Sequence, residues 1–187
     1  ENLYPGDYIK EIAKNIIKNN NNLDIENFDN CFEKLKKLSL EGSMTFIKDD
    51  LKKLGIMHDN FISETDLVKK DLVNETIKKL KNKNFVVEGY LNPPKSETPK
   101  GWKKIKRLIF KSTEFGDDTD RALQKDDGSW TYFANDVAYH FDKINRRYDN
   151  LINILGADHI GYVKRISAAV SALSDKKVKL DCKICQL

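Results

Sequence analysis

Residues 150–162, NLINILGADHIGY, decide the fold. Positions 150–155 form a short run dominated by Leu and Ile, the pattern of a buried strand. The run stops at Gly156-Ala157-Asp158-His159, where a helix is expected to begin and continue to Leu173. Upstream, Thr131 to about Arg146 has helical periodicity; downstream, Val178 to Leu187 alternates apolar and polar residues as a strand does. Helix, buried strand, helix and strand in succession predict an α/β layer with parallel strands.

Such a layer binds ligands beyond the carboxyl ends of its strands, where helix N-termini offer unpaired N–H groups to phosphate. Gly156 stands at that place. A glycine lets the backbone approach a ligand closely, and Asp158 could accept a ribose hydroxyl or an ammonium group. The plainer alternative is a tight turn with no ligand.

The preceding helix raises a similar choice. Tyr132 and Asp136 lie four residues apart, so they are neighbours on one helical face. A carboxylate beside a phenolic oxygen is a receptor for a guanidinium fork. Alternatively Tyr132 packs and Asp136 is solvated or bonds the backbone. His140, one turn further, is read as a packed imidazole. Phe115-Gly-Asp-Asp-Thr-Asp-Arg121 brings three carboxylates together, but without a second acidic cluster it reads as a turn rich in Asx hydrogen bonds rather than a magnesium site. No catalytic residue and no metal ligand is assigned.

The first half reads as helices. Asp7 is placed as the cap of a helix presenting Ile9, Ile12, Ala13, Ile16 and Ile17. Phe28, Phe32, Leu35 and Leu38 mark a second helix; Met44, Ile47, Leu51 and Leu54 mark a third, closed by Gly55. A fourth starts near Ser63 and runs to Leu80 with lysines on its outer, solvated face. Phe85–Tyr90 and Ile105–Phe110 read as strands of a hairpin around the polar loop Asn92–Gly101, and Ala122–Gln124 as a further short strand.

The chain has 187 residues, 40% hydrophobic content and a net charge of +4, which suits one compact domain with a slightly basic surface. Nothing approaches the roughly 20 apolar residues of a membrane span. The first thirty residues hold no secretory leader, so a cytoplasmic protein with no membrane partner is expected. Cys31, Cys182 and Cys185 are an odd count without an export signal, which argues against a disulfide framework. Cys182-Lys-Ile-Cys185 lacks a matching second ligand pair and sits in the alternating strand, with Cys185 on the opposite face from Cys182.

Five stretches, taken in order, resemble bacterial arginyl-tRNA synthetases: Tyr4-Pro-Gly-Asp-Tyr-Ile9, Phe115–Arg121, Asp127-Gly-Ser-Trp-Thr-Tyr-Phe-Ala-Asn-Asp-Val-Ala-Tyr-His140, Asp142-Lys143 and Gly156-Ala-Asp-His-Ile-Gly-Tyr162. The likeness is dense over 114–173 and looser before it. It implies a partial Rossmann-type core of a class I synthetase with a mostly helical insertion and a β-hairpin. The implied divisions are 1–19 as a core helix, 20–112 as the insertion and 113–187 as the second half of the core. The implied activity is ATP-dependent activation of arginine and its transfer to tRNA, with Mg2+ accompanying ATP. In this resemblance Tyr132 and Asp136 hold the substrate guanidinium, His159 belongs to the arginine site, and Gly156 and Asp158 lie against the nucleotide. A monomer is expected.

The family's His-Ile-Gly-His and Lys-Met-Ser-Lys signatures do not occur within these residues; His159-Ile-Gly-Tyr162 only mimics the first. The chain alone is therefore expected to be a catalytic-domain fragment without activity. His58-Asp-Asn-Phe-Ile-Ser-Glu64 also departs from the commoner family wording, without evident functional meaning. The alternative is a non-catalytic RNA- or protein-binding module with a synthetase-like core. The basic helices at 10–20 and 67–83 and the stretch Lys100–Arg107 around Trp102 support it.

Overall fold

The computed structural model describes residues 6–24, 27–91 and 104–186. The loop expected at Asn92–Gly101, Trp102 and the beginning of Tyr4–Ile9 lie outside them. The chain divides into two compact units, Glu1–Phe61 and Ile62–Leu187.

The first unit is a helical pair. Helix α1 spans Asp7–Asn19 and buries Ile12 and Ile16. Asp7 is its first helical residue rather than its cap, because the cap position falls on Gly6 and receives no side-chain bond. The second and third predicted helices are one helix, α2, over Phe28–Lys53. Their apolar positions stay in phase across Glu41-Gly42-Ser43, and Gly42 does not break the helix. Instead it lets α1 come close: a Cβ there would lie 2.9 Å from Ile12 Cγ2. Gly55, with φ 74°, ends α2 in a Schellman turn. The Ile56 N–H donates to Leu51 C=O at 2.8 Å and the Gly55 N–H to Lys52 C=O at 3.0 Å.

The second unit begins with α3, Glu64–Lys69, capped as expected by Ser63, whose hydroxyl accepts the Asp66 N–H. The predicted fourth helix is broken here. Asp71 takes a left-handed φ of 58°, and α4 starts anew over Leu72–Asn82. Strands β1 (Val86–Gly89) and β2 (Arg107–Phe110) form the expected antiparallel pair, with Val86 opposite Phe110. Strand β3, Arg121–Ala122, extends the sheet beyond β2. A bridge from Gln124 to Trp130 then closes the Lys125–Gly128 turn and leads the chain into α5, Tyr132–Asn145.

Strand β4, Asn150–Gly156, pairs in parallel with β5, Lys179–Cys185, and α6, Val163–Ser174, connects them. The predicted helix over 157–173 is thus two elements. Ala157–Tyr162 is a 3-10 turn, and the α-helix proper begins at Val163.

The core of this unit gathers Leu80 and Ile77 of α4, Phe110 of β2, Leu123, Val137 and Phe141 of α5, and Ile166 and Leu173 of α6. Alanines at 134, 138, 168, 169 and 172, all fully buried, keep α5 and α6 close to their neighbours. Leu180 and Cys182 pack against this core while Cys185 is exposed, as strand alternation requires.

Strand β4 is buried on one face only. Leu151 and Asn153 point inward, whereas Ile152 and Ile154 are 62% and 74% exposed. The apolar run suggested a strand covered on both faces; among the described residues no layer covers the second. No helix of the described residues is long and apolar enough to cross a membrane.

Candidate functional site

Thr131 fixes the start of α5. Its hydroxyl accepts the Ala134 N–H at 3.2 Å and reaches the carbonyls of Ala122 and Leu123. With the start fixed, Phe133, Ala134, Val137, Ala138 and Phe141 turn to the core. Tyr132, Asp136 and Tyr139 then share the opposite stripe.

That stripe forms one wall of a hollow of about 250 Å³ lined by Ile62, Glu64, Leu67, Tyr132, Asn135, Asp136 and Tyr139. The volume lies below the roughly 300–1,000 Å³ of pockets for larger ligands, and suits something smaller than a nucleotide. Its aliphatic lining is Ile62 and Leu67, and its polar groups are two carboxylates, two phenols and an amide. None of the lining residues is basic. A hollow that combines aliphatic side chains with carboxylates and phenolic oxygens has the chemistry to accept a cation on an aliphatic stem.

Asp136 is restrained from several sides. The Tyr162 hydroxyl donates to its Oδ2 at 2.6 Å. Burial and the adjacent Asp136 carboxylate push the Tyr162 hydroxyl above its usual value of 10.0, so it remains a donor at neutral pH. The Asp136 backbone carbonyl meets His140 Nδ1 at 2.8 Å, and His140 Nε2 meets Asn153 Nδ2 at 2.9 Å. Lys143 Nζ donates to Asn153 Oδ1 at 2.8 Å. These contacts fit a neutral imidazole carrying its proton on Nδ1. His140 is 3% exposed, and burial lowers its pKa from 6.5. It is a buried structural imidazole, as its position in the sequence suggested. Burial, then the nearby Arg146 charge, also lowers the Lys143 pKa.

Glu64 is the group that sequence reasoning missed. It opens α3 next to the capping Ser63, and its Oε1 accepts from Asn135 Nδ2 at 2.7 Å. The segment 58–64 therefore ends on a second carboxylate that lines the hollow. The signal available was Ser-Glu at a helix start, which reads only as a cap and a favourable first-turn charge.

The strand-end residues stand elsewhere. Gly156, Asp158 and His159 are absent from the lining of this hollow. Gly156 matters because Asp158 folds back over it: a Cβ there would lie 2.5 Å from Asp158 Oδ1. His159 Nε2 lies 3.4 Å from Asp158 Oδ2, and its ring meets Tyr162 edge-on at 6.3 Å between centroids. Tyr162 thus touches both groups of residues.

The acidic turn is tied down internally. Asp117 grips Arg121 through two bonds of 2.7 Å and accepts from the Ser112 hydroxyl at 3.0 Å. Asp118 pairs with Lys164 at 2.8 Å, and Asp120 accepts from the Thr113 N–H and hydroxyl. Among the described residues no three His, Cys, Asp or Glu side chains converge as metal ligands.

In class, the proteins that this chain is similar to are tRNA ligases. Within that class the likeness is to arginine–tRNA ligases. It is 56% identical over 185 residues to the arginine–tRNA ligase of Pelagibacter ubique, matching 99% of this chain and 32% of the relative. Against that of Wolbachia sp. subsp. Brugia malayi it is 47% identical over 97% of the chain and again 32% of the relative. The chain spans about a third of the length of the curated relatives it matches. A crystal structure named as an arginyl-tRNA synthetase, from Campylobacter jejuni, superposes with a TM-score of 0.79 at 29% identity, covering all of this chain and 37% of that one. The arginyl-tRNA synthetase of Plasmodium falciparum shares the fold, with a TM-score of 0.59 at 18% identity. No family model matches the chain.

Proposed function

We propose that this chain is the arginine-selecting part of an arginine–tRNA ligase, which activates arginine with ATP and transfers it to tRNA. One observation carries the reading. Tyr132 and Asp136 meet in a single hollow that also contains Glu64 and no basic side chain. The guanidinium lies between the carboxylates, the phenols of Tyr132 and Tyr139 flank it, and its methylene stem runs along Leu67 and Ile62. A neutral side chain of the same length leaves two carboxylates without a countercharge, which is how the site selects.

The parallel pair β4–β5 and its connecting helix α6 supply part of a Rossmann-type core. At the end of β4, Gly156 leaves room for Asp158, whose carboxylate accepts the ribose hydroxyls of ATP; His159 borders the amino-acid head. Mg2+ comes to the site through the nucleotide's phosphates. The division into 1–19, 20–112 and 113–187 as core helix, insertion and second core half follows from the same likeness.

The test is Asp136→Ala in a full-length arginine–tRNA ligase containing this segment, assayed by arginine-dependent ATP–pyrophosphate exchange. The KM for arginine should rise by about a hundredfold or more while the KM for ATP stays within about twofold. An unchanged arginine KM would contradict the assignment.

A further inference from the structure

We infer that Tyr162 is a positioning residue for arginine recognition, acting through the Asp136 carboxylate and tying the turn after β4 to the arginine-binding face of α5. The inference rests on the proposed arginine site and deepens it. Tyr162 ends the 3-10 turn Ala157–Tyr162, and its hydroxyl reaches Asp136 Oδ2 at 2.6 Å. Asp136 is half-buried and its side chain has two rotatable bonds, and an unrestrained carboxylate loses rotamer entropy when it closes on a ligand. The phenol removes that freedom beforehand and saturates one lone pair of Oδ2, which leaves the other acceptor positions of the carboxylate for a ligand.

Tyr162 is itself held rigidly. Its ring packs edge-on against Phe133, at 6.2 Å between centroids, and against His159 at 6.3 Å. The Arg165 guanidinium lies 5.1 Å from the ring centre. The hydroxyl is thus presented by a fixed aromatic body, and the same body touches His159 in the turn that follows Gly156. Tyr162 does not line the hollow, so its effect on the ligand passes through Asp136.

The experiment is a double-mutant cycle in a full-length arginine–tRNA ligase containing this segment, using Tyr162→Phe, Asp136→Ala and the pair. Tyr162→Phe keeps the ring and its packing and removes only the oxygen. The arginine KM should rise roughly tenfold in Tyr162→Phe, with the ATP KM within about twofold of the parent. Adding Tyr162→Phe to Asp136→Ala should raise it no further, because the phenol then has no carboxylate to orient. A role in folding alone would act equally in both backgrounds, so additive effects overturn the inference. An unchanged arginine KM in Tyr162→Phe overturns it as well. If Asp136→Ala itself leaves the arginine KM unchanged, the arginine site falls together with the inference; if only Tyr162→Phe is silent, the inference alone falls.

Discussion

His140 and Asn153 are joined across the interior: Asn153 Nδ2 lies 2.9 Å from His140 Nε2, which links strand β4 to helix α5 below the candidate arginine site. The amide interrupts the Leu and Ile run of β4 because it must serve two partners, the imidazole and Lys143 Nζ at 2.8 Å. The far nitrogen of the imidazole holds the Asp136 backbone. A buried polar chain of this kind fixes one arrangement of its elements when every member has a partner.

The first prediction concerns pH. Burial holds the folded pKa of His140 below its ordinary 6.5. Below pH 6.5 the unfolded chain therefore takes up a proton that the folded chain refuses, and protonation favours unfolding. Stability should be constant with respect to this group above 6.5. It should fall by about 1.4 kcal/mol per pH unit as pH drops from 6.5 toward the folded pKa. Urea unfolding at a series of pH values measures the slope, and His140→Gln should flatten it below pH 6.5.

The Asp117–Arg121 pair supports a second prediction. The Asp117 side chain is fully covered, with a two-bond fork from Arg121, the Ser112 hydroxyl and the Asp118 N–H. Burial alone would raise its pKa, but these donors together hold it below 3.8. Its stabilising effect is thus complete above pH 3.8 and is lost as pH falls through the lower folded value. Asp117→Asn keeps the shape and removes the charge, and should cost about 2–3 kcal/mol at pH 7. Thermal unfolding tests it; a loss below about 0.5 kcal/mol would mean the fork contributes little.

A third prediction follows from Glu64. Glu64→Gln preserves an oxygen for the Asn135 amide and removes one of the two negative charges facing the hollow. In a full-length ligase the arginine KM should increase about tenfold, with the ATP KM unchanged and folding stability lowered by no more than about 1 kcal/mol for the lost first-turn charge. Steady-state kinetics with arginine and ATP varied in turn supplies the comparison.

Much of this was legible in the sequence because the signals are local. The helical period from Thr131 onward gave α5, and the four-residue spacing then placed Tyr132 and Asp136 on one face. Alternation gave β5, and Gly55 marked the end of α2. Other features depend on partners distant in sequence. The Lys70-Asp71 break has no Gly or Pro to announce it, and the close approach of α1 that Gly42 permits cannot be read from the α2 sequence. The open face of Ile152 and Ile154 is equally invisible to pattern, since an apolar run looks the same with one covered face or two. Glu64 was missed for the same reason: its partner Asn135 lies 71 residues away, and a helix-start acid ordinarily has a sufficient local explanation.

The central claim is that charge on the substrate side chain is what the hollow reads. Citrulline, which replaces the guanidinium with a neutral ureido group of similar shape, addresses it most directly. The measurement is the ratio of kcat/KM for arginine to that for citrulline, in a full-length arginine–tRNA ligase containing this segment and in its Asp136→Asn variant. The account predicts a ratio of about a thousandfold or more in the parent, shrinking by at least about tenfold in the variant. A ratio that Asp136→Asn leaves unchanged would contradict it.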